Sequence, residues 1–186
     1  MSTYDDAVRL LASPRTWCEG ARQLTKLNNP SAIVPLLRAY DSPSEAEKMC
    51  LADAMVALGA PAMASKLLAS KAMDERRAGL RLMITFASDD YLPYLRDTAL
   101  NDADPAIRAR ALEVLEHQLQ TPKWEEAIAT FLAQPDTQLR GWAIDRLIKH
   151  NSDATWARVQ AHAATEQDPG LRAKIDAALK ARRPAH

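Results

Sequence analysis

Apolar residues recur every three or four positions along most of the chain, which is the spacing of one face of an α-helix. The segment DPAIRARALEVL, which starts at Asp104, is an example, with Ile107 and Ala111 on the same face. Two further segments align with it without gaps at a spacing of 32 residues: DTQLRGWAIDRL from Asp136 and DPGLRAKIDAAL from Asp168. Each begins with an aspartate that can cap a helix, so the pattern predicts three equivalent helices.

A second helical pattern precedes each of these segments, so every repeat is predicted to be a pair of helices, A followed by B. The N-terminal half follows the same plan more loosely; Ser13 and Pro14 form one cap-and-proline start, and Ser42 and Glu45 have capping-box spacing. Stacked hairpins share a core that a lone hairpin cannot make. We therefore expect an all-α superhelix, a single domain over residues 1–186. Its six antiparallel helix pairs are expected at residues 3–27, 30–58, 61–87, 89–120, 122–149 and 152–182.

The composition agrees with an all-α fold, because 35 Ala and 23 Leu stand against only 7 Ile and 5 Val. The 24 basic and 24 acidic side chains balance, which makes a broadly basic surface for nucleic acid unlikely on charge grounds. The N-terminus lacks the features of a secretory signal, and no apolar stretch approaches the ~18 residues of a transmembrane helix. We therefore expect no membrane partner.

The two cysteines, Cys18 and Cys50, lie far apart and outside any CxxC pair. This spacing favours neither a disulfide framework nor a cysteine zinc site. The simplest interpretation is two buried, reduced thiols, which is typical of a cytoplasmic protein.

The repeated segments resemble HEAT repeats, in particular the short bacterial type. The resemblance is carried by the aspartate–proline–x–apolar–Arg pattern of helices B and by the internal prolines Pro35 and Pro93 of helices A. It is strongest over residues 89–181. The resemblance implies a stacked α-helical fold and a tendency to bind macromolecules, without implying one activity.

A row of arginines recurs at one position of helices B, at Arg108, Arg140 and Arg172. The row could be a track for an anionic ligand, but recurrence at a fixed repeat position favours a structural role. In the family that the chain resembles, an acidic residue six positions earlier completes a ladder between repeats. That position holds Asp102, Gln134 and Glu166 in turn, so we expect a partly preserved ladder.

The side of helices B opposite the apolar stripe is expected to be exposed. Trp142 stands there where the other copies have a basic residue, and Trp and Arg are frequent anchors of interfaces. Trp142 could instead lie over the next repeat. The small residues Ala109, Gly141 and Ala173 would let a partner come close to the backbone. The predicted partner-binding residues on this B-helix (concave) face are Arg110, Glu113, His117, Trp142, Asp145, Lys149 and Lys174.

The sequence contains no HExxH, GxSxG, SxxK or glycine-rich phosphate motif, so we predict no catalytic residue, no metal site and no cofactor. His162 and Glu166 would supply only two ligands of the three or four that a metal needs, so we interpret them as a surface pair. Five of the six methionines fall between residues 49 and 83, where they could line an adaptable groove or fill a core. We expect the core role.

These observations favour a non-enzymatic, monomeric module that binds another protein on the B-helix face, as an adaptor or as an inhibitor that neutralises a toxin. The polar final segment KARRPAH fits a capping end and favours the monomer. HEAT-like stacks also resemble the bacterial alkylpurine DNA glycosylases and the bilin lyases, so the alternative is a DNA-binding enzyme or an accessory subunit of a lyase. Only four residues would contribute to a glycosylase-like surface, namely Arg110, Trp142, Asp145 and Trp156.

Overall fold

The computed structural model describes residues 3–43 and 48–182. Within these ranges the chain forms twelve α-helices, several with a short 3-10 turn at one end, and no β-strand. The expected all-α architecture of six hairpins is confirmed. The helices are α1 (Tyr4–Arg9), α2 (Trp17–Leu27), α3 (Ile33–Tyr40), α4 (Met49–Ala57), α5 (Ala60–Leu68), α6 (Met73–Thr85), α7 (Leu92–Asn101), α8 (Pro105–Glu116), α9 (Pro122–Ala129), α10 (Thr137–His150), α11 (Asp153–Ala163) and α12 (Pro169–Arg182).

The three segments that repeat every 32 residues begin with the same hydrogen-bonded cap. The Asp104 side chain accepts from the Ala106 N–H at 2.8 Å, and the Asp136 side chain accepts from the Gln138 N–H at 2.7 Å. Asp168 at the start of α12 accepts from the Leu171 N–H, three residues on, at 2.9 Å. These carboxylates satisfy backbone N–H groups that the helix itself leaves unpaired. Of the other predicted ends, Glu45 of the Ser42 capping box and the last four residues of KARRPAH lie outside the described part of the chain.

One hydrophobic core runs along the stack, from Ala7 in α1 to Ile175 in α12. Met55 and Met83 are completely buried in it, as the core interpretation of the methionines requires. Met49 and Met73 are exceptions, since 63% and 38% of their surfaces are exposed. The expectation that the methionines fill the core therefore holds for only part of the set.

Helices exchange places between the second and third hairpins. α2 packs against α4, and α6 packs against α8, as helices B of neighbouring repeats should. However, α6 also packs against α3, a helix A, while α4 meets α5. We call α3, α6, α8, α10 and α12 the front row, and α2, α4, α5, α7, α9 and α11 the back row.

The exchange follows the short connection between α4 and α5. Gly59 lies there with a φ of 81°, a left-handed conformation that is easy for glycine and costly for other residues. The axes of the two helices differ by 75°. No single described helix is long and apolar enough to span a membrane; α4 and α5 would meet that test only when taken together across the bend.

Candidate functional site

The arginine ladder joins neighbouring repeats at two places. Arg140 Nε and Nη2 are each 2.9 Å from a carboxylate oxygen of Glu166, 26 residues further on. Arg76 Nε lies 3.0 Å from Asp102, at the equivalent joint between α6 and α8. Arg76 was not singled out in the sequence, although it precedes Arg108 by the repeat spacing of 32 residues.

Among the described residues, Arg108 has no acidic partner at the joint between these two, because the equivalent position is Gln134. Its guanidinium group donates instead to the Asp102 carbonyl at 2.7 Å and to the Ala103 carbonyl at 3.4 Å. The prediction of a partly preserved structural ladder is therefore confirmed. Arg76 and Arg140 are held by contacts within the protein and are not available as a track for an anion.

Glu166 is the centre of the joint between α10 and α12, and only 2% of its surface is exposed. The hydrogen bonds from Arg140 lower the pKa of Glu166 to about 2, and the Asp168 N–H and His162 contribute in the same direction. His162 Nε2 lies 2.8 Å from the carboxylate. The prediction that His162 and Glu166 form a pair at the surface was wrong. A spacing of four residues indicates that two side chains can meet, but not whether the rest of the protein covers them. Within the described ranges, no three His, Cys, Asp or Glu side chains group as a metal site would require.

Glu125 is a second buried acid that was not singled out in the sequence. Its Oε1 accepts a hydrogen bond from Ser152 Oγ at 2.6 Å and lies 2.8 Å from His150 Nε2. These contacts tie the start of α9 to the connection between α10 and α11. Its position three residues before Ile128 and seven before Leu132 places it on the apolar side of α9, and this helical spacing is the sequence signal that distinguishes it from the exposed Glu126.

The predicted partner-binding residues lie on α8, α10 and α12 of the front row, where the central Trp142 is half-buried. Its Nε1 donates to Glu116 Oε1 at 2.8 Å, and its ring meets the Phe131 ring edge-on with 5.1 Å between centroids. Trp142 thus packs on its own helix pair and hydrogen-bonds to the preceding one, while part of the indole remains accessible.

The charged members of this set contact one another across and along the helices. Lys174 Nζ lies 2.5 Å from Asp145 Oδ1, which links α12 to α10. Arg110 pairs with Glu113 within α8, and His117 Nδ1 lies 2.7 Å from the Glu113 carbonyl. The remaining residue, Lys149, is exposed near the end of α10.

Residues 92–180, which run from the start of α7 into the last turn of α12, match the family model described as HEAT repeats. This part of the chain, just under half of its length, is therefore similar to HEAT repeats. In the structure of the complex of CpcE and CpcF of phycocyanin lyase from Nostoc sp. PCC7120, one chain is 19% identical, with 81% of the present chain and 99% of that chain covered and a TM-score of 0.44. No curated protein matches the sequence at a significant level.

Gly141 does not open a path to the backbone between the HEAT repeats. A Cβ placed on this glycine would lie 3.2 Å from Leu171 Cδ2, so α12 occupies the space beside it. The expectation that a partner comes close to the backbone was therefore wrong at Gly141, while it stays a prediction at Ala109 and Ala173, which are exposed. Gly141 instead allows α10 and α12 to pack closely.

The four residues of the glycosylase-like surface do not share one face of the HEAT repeats. Trp156 lies on α11 in the back row, with 6% of its surface exposed. Its Nε1 donates to Asn151 Oδ1 at 2.7 Å, and the Arg182 guanidinium group lies 4.9 Å from its ring centroid. Trp156 is therefore covered, whereas Trp142 and Asp145 lie on the front row.

Cys18 and Cys50, which precede the matched HEAT segment, form a disulfide that links α2 to α4. Cys18 is exposed and Cys50 is half-buried. The prediction of two buried, reduced thiols was wrong, because it considered only cysteines close together in sequence. Their separation of 32 residues equals the repeat spacing and places them side by side on neighbouring helices B. The bond also removes the thiol-based reason for a cytoplasmic location.

Proposed function

We propose that the protein is a non-catalytic module that binds another protein through the front-row surface of α8, α10 and α12. The similarity of residues 92–180 to HEAT repeats supports this proposal. The observation that carries it is the partly accessible Trp142, which lies among exposed side chains of both charges. A large aromatic side chain surrounded by polar groups is a frequent arrangement at protein interfaces.

The ion pairs on this surface do not oppose binding. Lys174 and Asp145 are 43% and 46% exposed, and exposed pairs of this kind contribute only about 0–1 kcal/mol. A partner with charges of its own can therefore replace these contacts at little cost. A protein that acts as an adaptor or as an inhibitor needs no further chemistry at this surface.

The partner is best sought by photo-cross-linking from defined positions in cells of the source organism. A photoreactive amino acid replaces Lys149 on the front row in one variant and Arg158 on the back row in the other; both positions are exposed. We expect mass spectrometry to identify a protein that is captured from position 149 and not from position 158. Equal capture from both positions contradicts the proposed surface.

A charge exchange then tests the surface without disturbing its internal pair. The double variant Asp145→Lys, Lys174→Asp keeps opposite charges on α10 and α12 but reverses their positions. We expect the affinity for the captured protein to fall about ten-fold, which corresponds to ~1.4 kcal/mol. Arg158→Glu, which changes the net charge more but lies on the back row, is the control and should leave the affinity unchanged. If the charge exchange has no effect, the surface is wrongly placed.

The DNA-binding alternative predicts a different result with a short DNA duplex. Binding that neutralises phosphates weakens steeply as the salt concentration rises. Duplex binding at low salt that is lost at higher salt and is sensitive to Arg110→Ala would favour this alternative over protein binding.

A further inference from the structure

A groove of about 660 Å³ lies between α3, α6 and α8, at the N-terminal end of the front row. We call it the arginine groove. Val34, Leu37 and Ile107 supply apolar lining from two of the three helices. Four arginines also line it, namely Arg38, Arg77, Arg81 and Arg110. No sequence pattern indicated this groove, because it depends on the exchange that brings α3 beside α6.

The arginines of the groove are not equally engaged by acids. Arg81 Nη2 lies 2.6 Å from Asp41, and Arg110 pairs with Glu113. Arg77 is 3.5 Å from Asp74, whose side chain is 91% exposed, so this contact is weak. Arg38 is exposed, and no carboxylate of the described residues forms an ion pair with it.

The two loosely held guanidinium groups, of Arg38 and Arg77, stand on different helices beside the same apolar lining. Guanidinium groups bind carboxylates through two parallel hydrogen bonds, and aliphatic lining favours contact with aliphatic side chains. A ligand that satisfies both features carries acidic and aliphatic residues together.

A nucleic acid would match the positive charge of the four arginines but not the other residues that line the groove. The residues that line it, all within the described ranges, include no aromatic side chain on which a base could stack. Asp41 and Asp74 also line the groove and would repel phosphate groups. The lining therefore favours a protein segment.

We propose that the arginine groove binds an acidic, amphipathic segment of the partner protein. The carboxylates of the segment contact Arg38 and Arg77, and its aliphatic side chains lie on Val34, Leu37 and Ile107. This proposal rests on the proposed function and extends the interface from α8 to α6 and α3.

Selection from a random peptide library displayed on phage tests the chemistry without knowledge of the partner. The wild-type protein is the bait, and the double variant Arg38→Glu, Arg77→Glu is used for counter-selection. We expect the enriched peptides to be rich in Asp or Glu and to contain Leu, Ile or Val. The absence of enriched peptides, or enrichment without acidic residues, overturns the proposal.

Affinity measurements with one enriched, fluorescently labelled peptide then locate its site. We expect the double variant to bind at least ten-fold more weakly than the wild type. The control variant Arg15→Glu, Arg158→Glu makes the same change in net charge at exposed arginines outside the groove and should bind normally. If peptide binding is weakened equally in both variants, the effect is due to net charge alone and the proposal is overturned.

Two further outcomes separate the possible explanations. A labelled single-stranded DNA that binds more tightly than the peptide, and is lost in the groove variant, would replace the peptide proposal with a nucleic-acid site. If the cross-linked partner depends on Asp145 and Lys174 but binds the groove variant normally, the groove proposal fails while the proposed function stands.

Discussion

The two ends of the molecule join neighbouring hairpins by different chemistry. Between α10 and α12 the joint is a buried carboxylate, Glu166, held by Arg140. Between α2 and α4 it is a covalent bond between Cys18 and Cys50. Both joints connect successive repeats. The comparison shows that stacking requires a contact between adjacent copies but does not prescribe its chemical type.

The surfaces of the two regions differ as well. Asp145 on α10 and Lys174 on α12 form an ion pair, whereas Arg38 on α3 has no acidic partner among the described residues. A charged partner that binds at Asp145 and Lys174 must replace their contact, while an acidic partner that binds at Arg38 adds one. We therefore expect the N-terminal part of the front row to be the more selective of the two towards an acidic ligand.

Removing the disulfide should give the largest change in stability. The double variant Cys18→Ser, Cys50→Ser is expected to lower the free energy of unfolding by about 3 kcal/mol, because the unfolded chain is no longer closed into a loop. Denaturant titration measures the loss. Hydrogen exchange should show increased opening in α1 to α4 and little change in α9 to α12. Reduction of the wild type is the control, and a loss spread evenly over all helices would contradict the regional difference.

The polar joint should respond more moderately. Glu166→Ala leaves the Arg140 guanidinium group and the Asp168 N–H without their buried acceptor, so we expect the free energy of unfolding to fall by about 2 kcal/mol. The control Gln134→Ala alters the same repeat position where no ion pair exists and should cost less than ~1 kcal/mol. Similar losses in the two variants would show that the ion pair is not what holds the joint.

The same joint should weaken in acid. Folding lowers the pKa of Glu166 from 4.5 to about 2, so its ionised form stabilises the folded protein. That stabilisation is complete above the pKa of the unfolded chain and is lost as the pH falls from 4.5 towards about 2. Melting temperatures of the wild type and Glu166→Gln should therefore differ near neutral pH and converge over this range. A constant difference would exclude titration of Glu166 as the cause.

The helices and the ladder could be predicted because each depends on residues within a fixed repeat. The cap at Asp104 and the pair of Arg140 with Glu166 follow from their positions in that repeat. The arginine groove could not be predicted, because it requires the exchange of helices after Gly59. The disulfide lies between these cases: the separation of Cys18 and Cys50 was visible, but its meaning depends on neighbouring helices B being packed side by side.

The smallest predicted effect is a gain at the incomplete joint of the ladder. Gln134→Glu places a carboxylate where Asp102 and Glu166 stand at the other joints, within the repeat geometry that serves Arg140. We expect the free energy of unfolding to rise by about 0.5–1 kcal/mol. The Arg108 guanidinium group already donates to carbonyls of the loop before α8, and its remaining N–H groups can donate to the added carboxylate. Adding Arg108→Ala should remove this gain, as a double-mutant cycle would measure. A gain that persists without Arg108 would mean that the added charge acts elsewhere, and the ladder would not be transferable from one joint to the next.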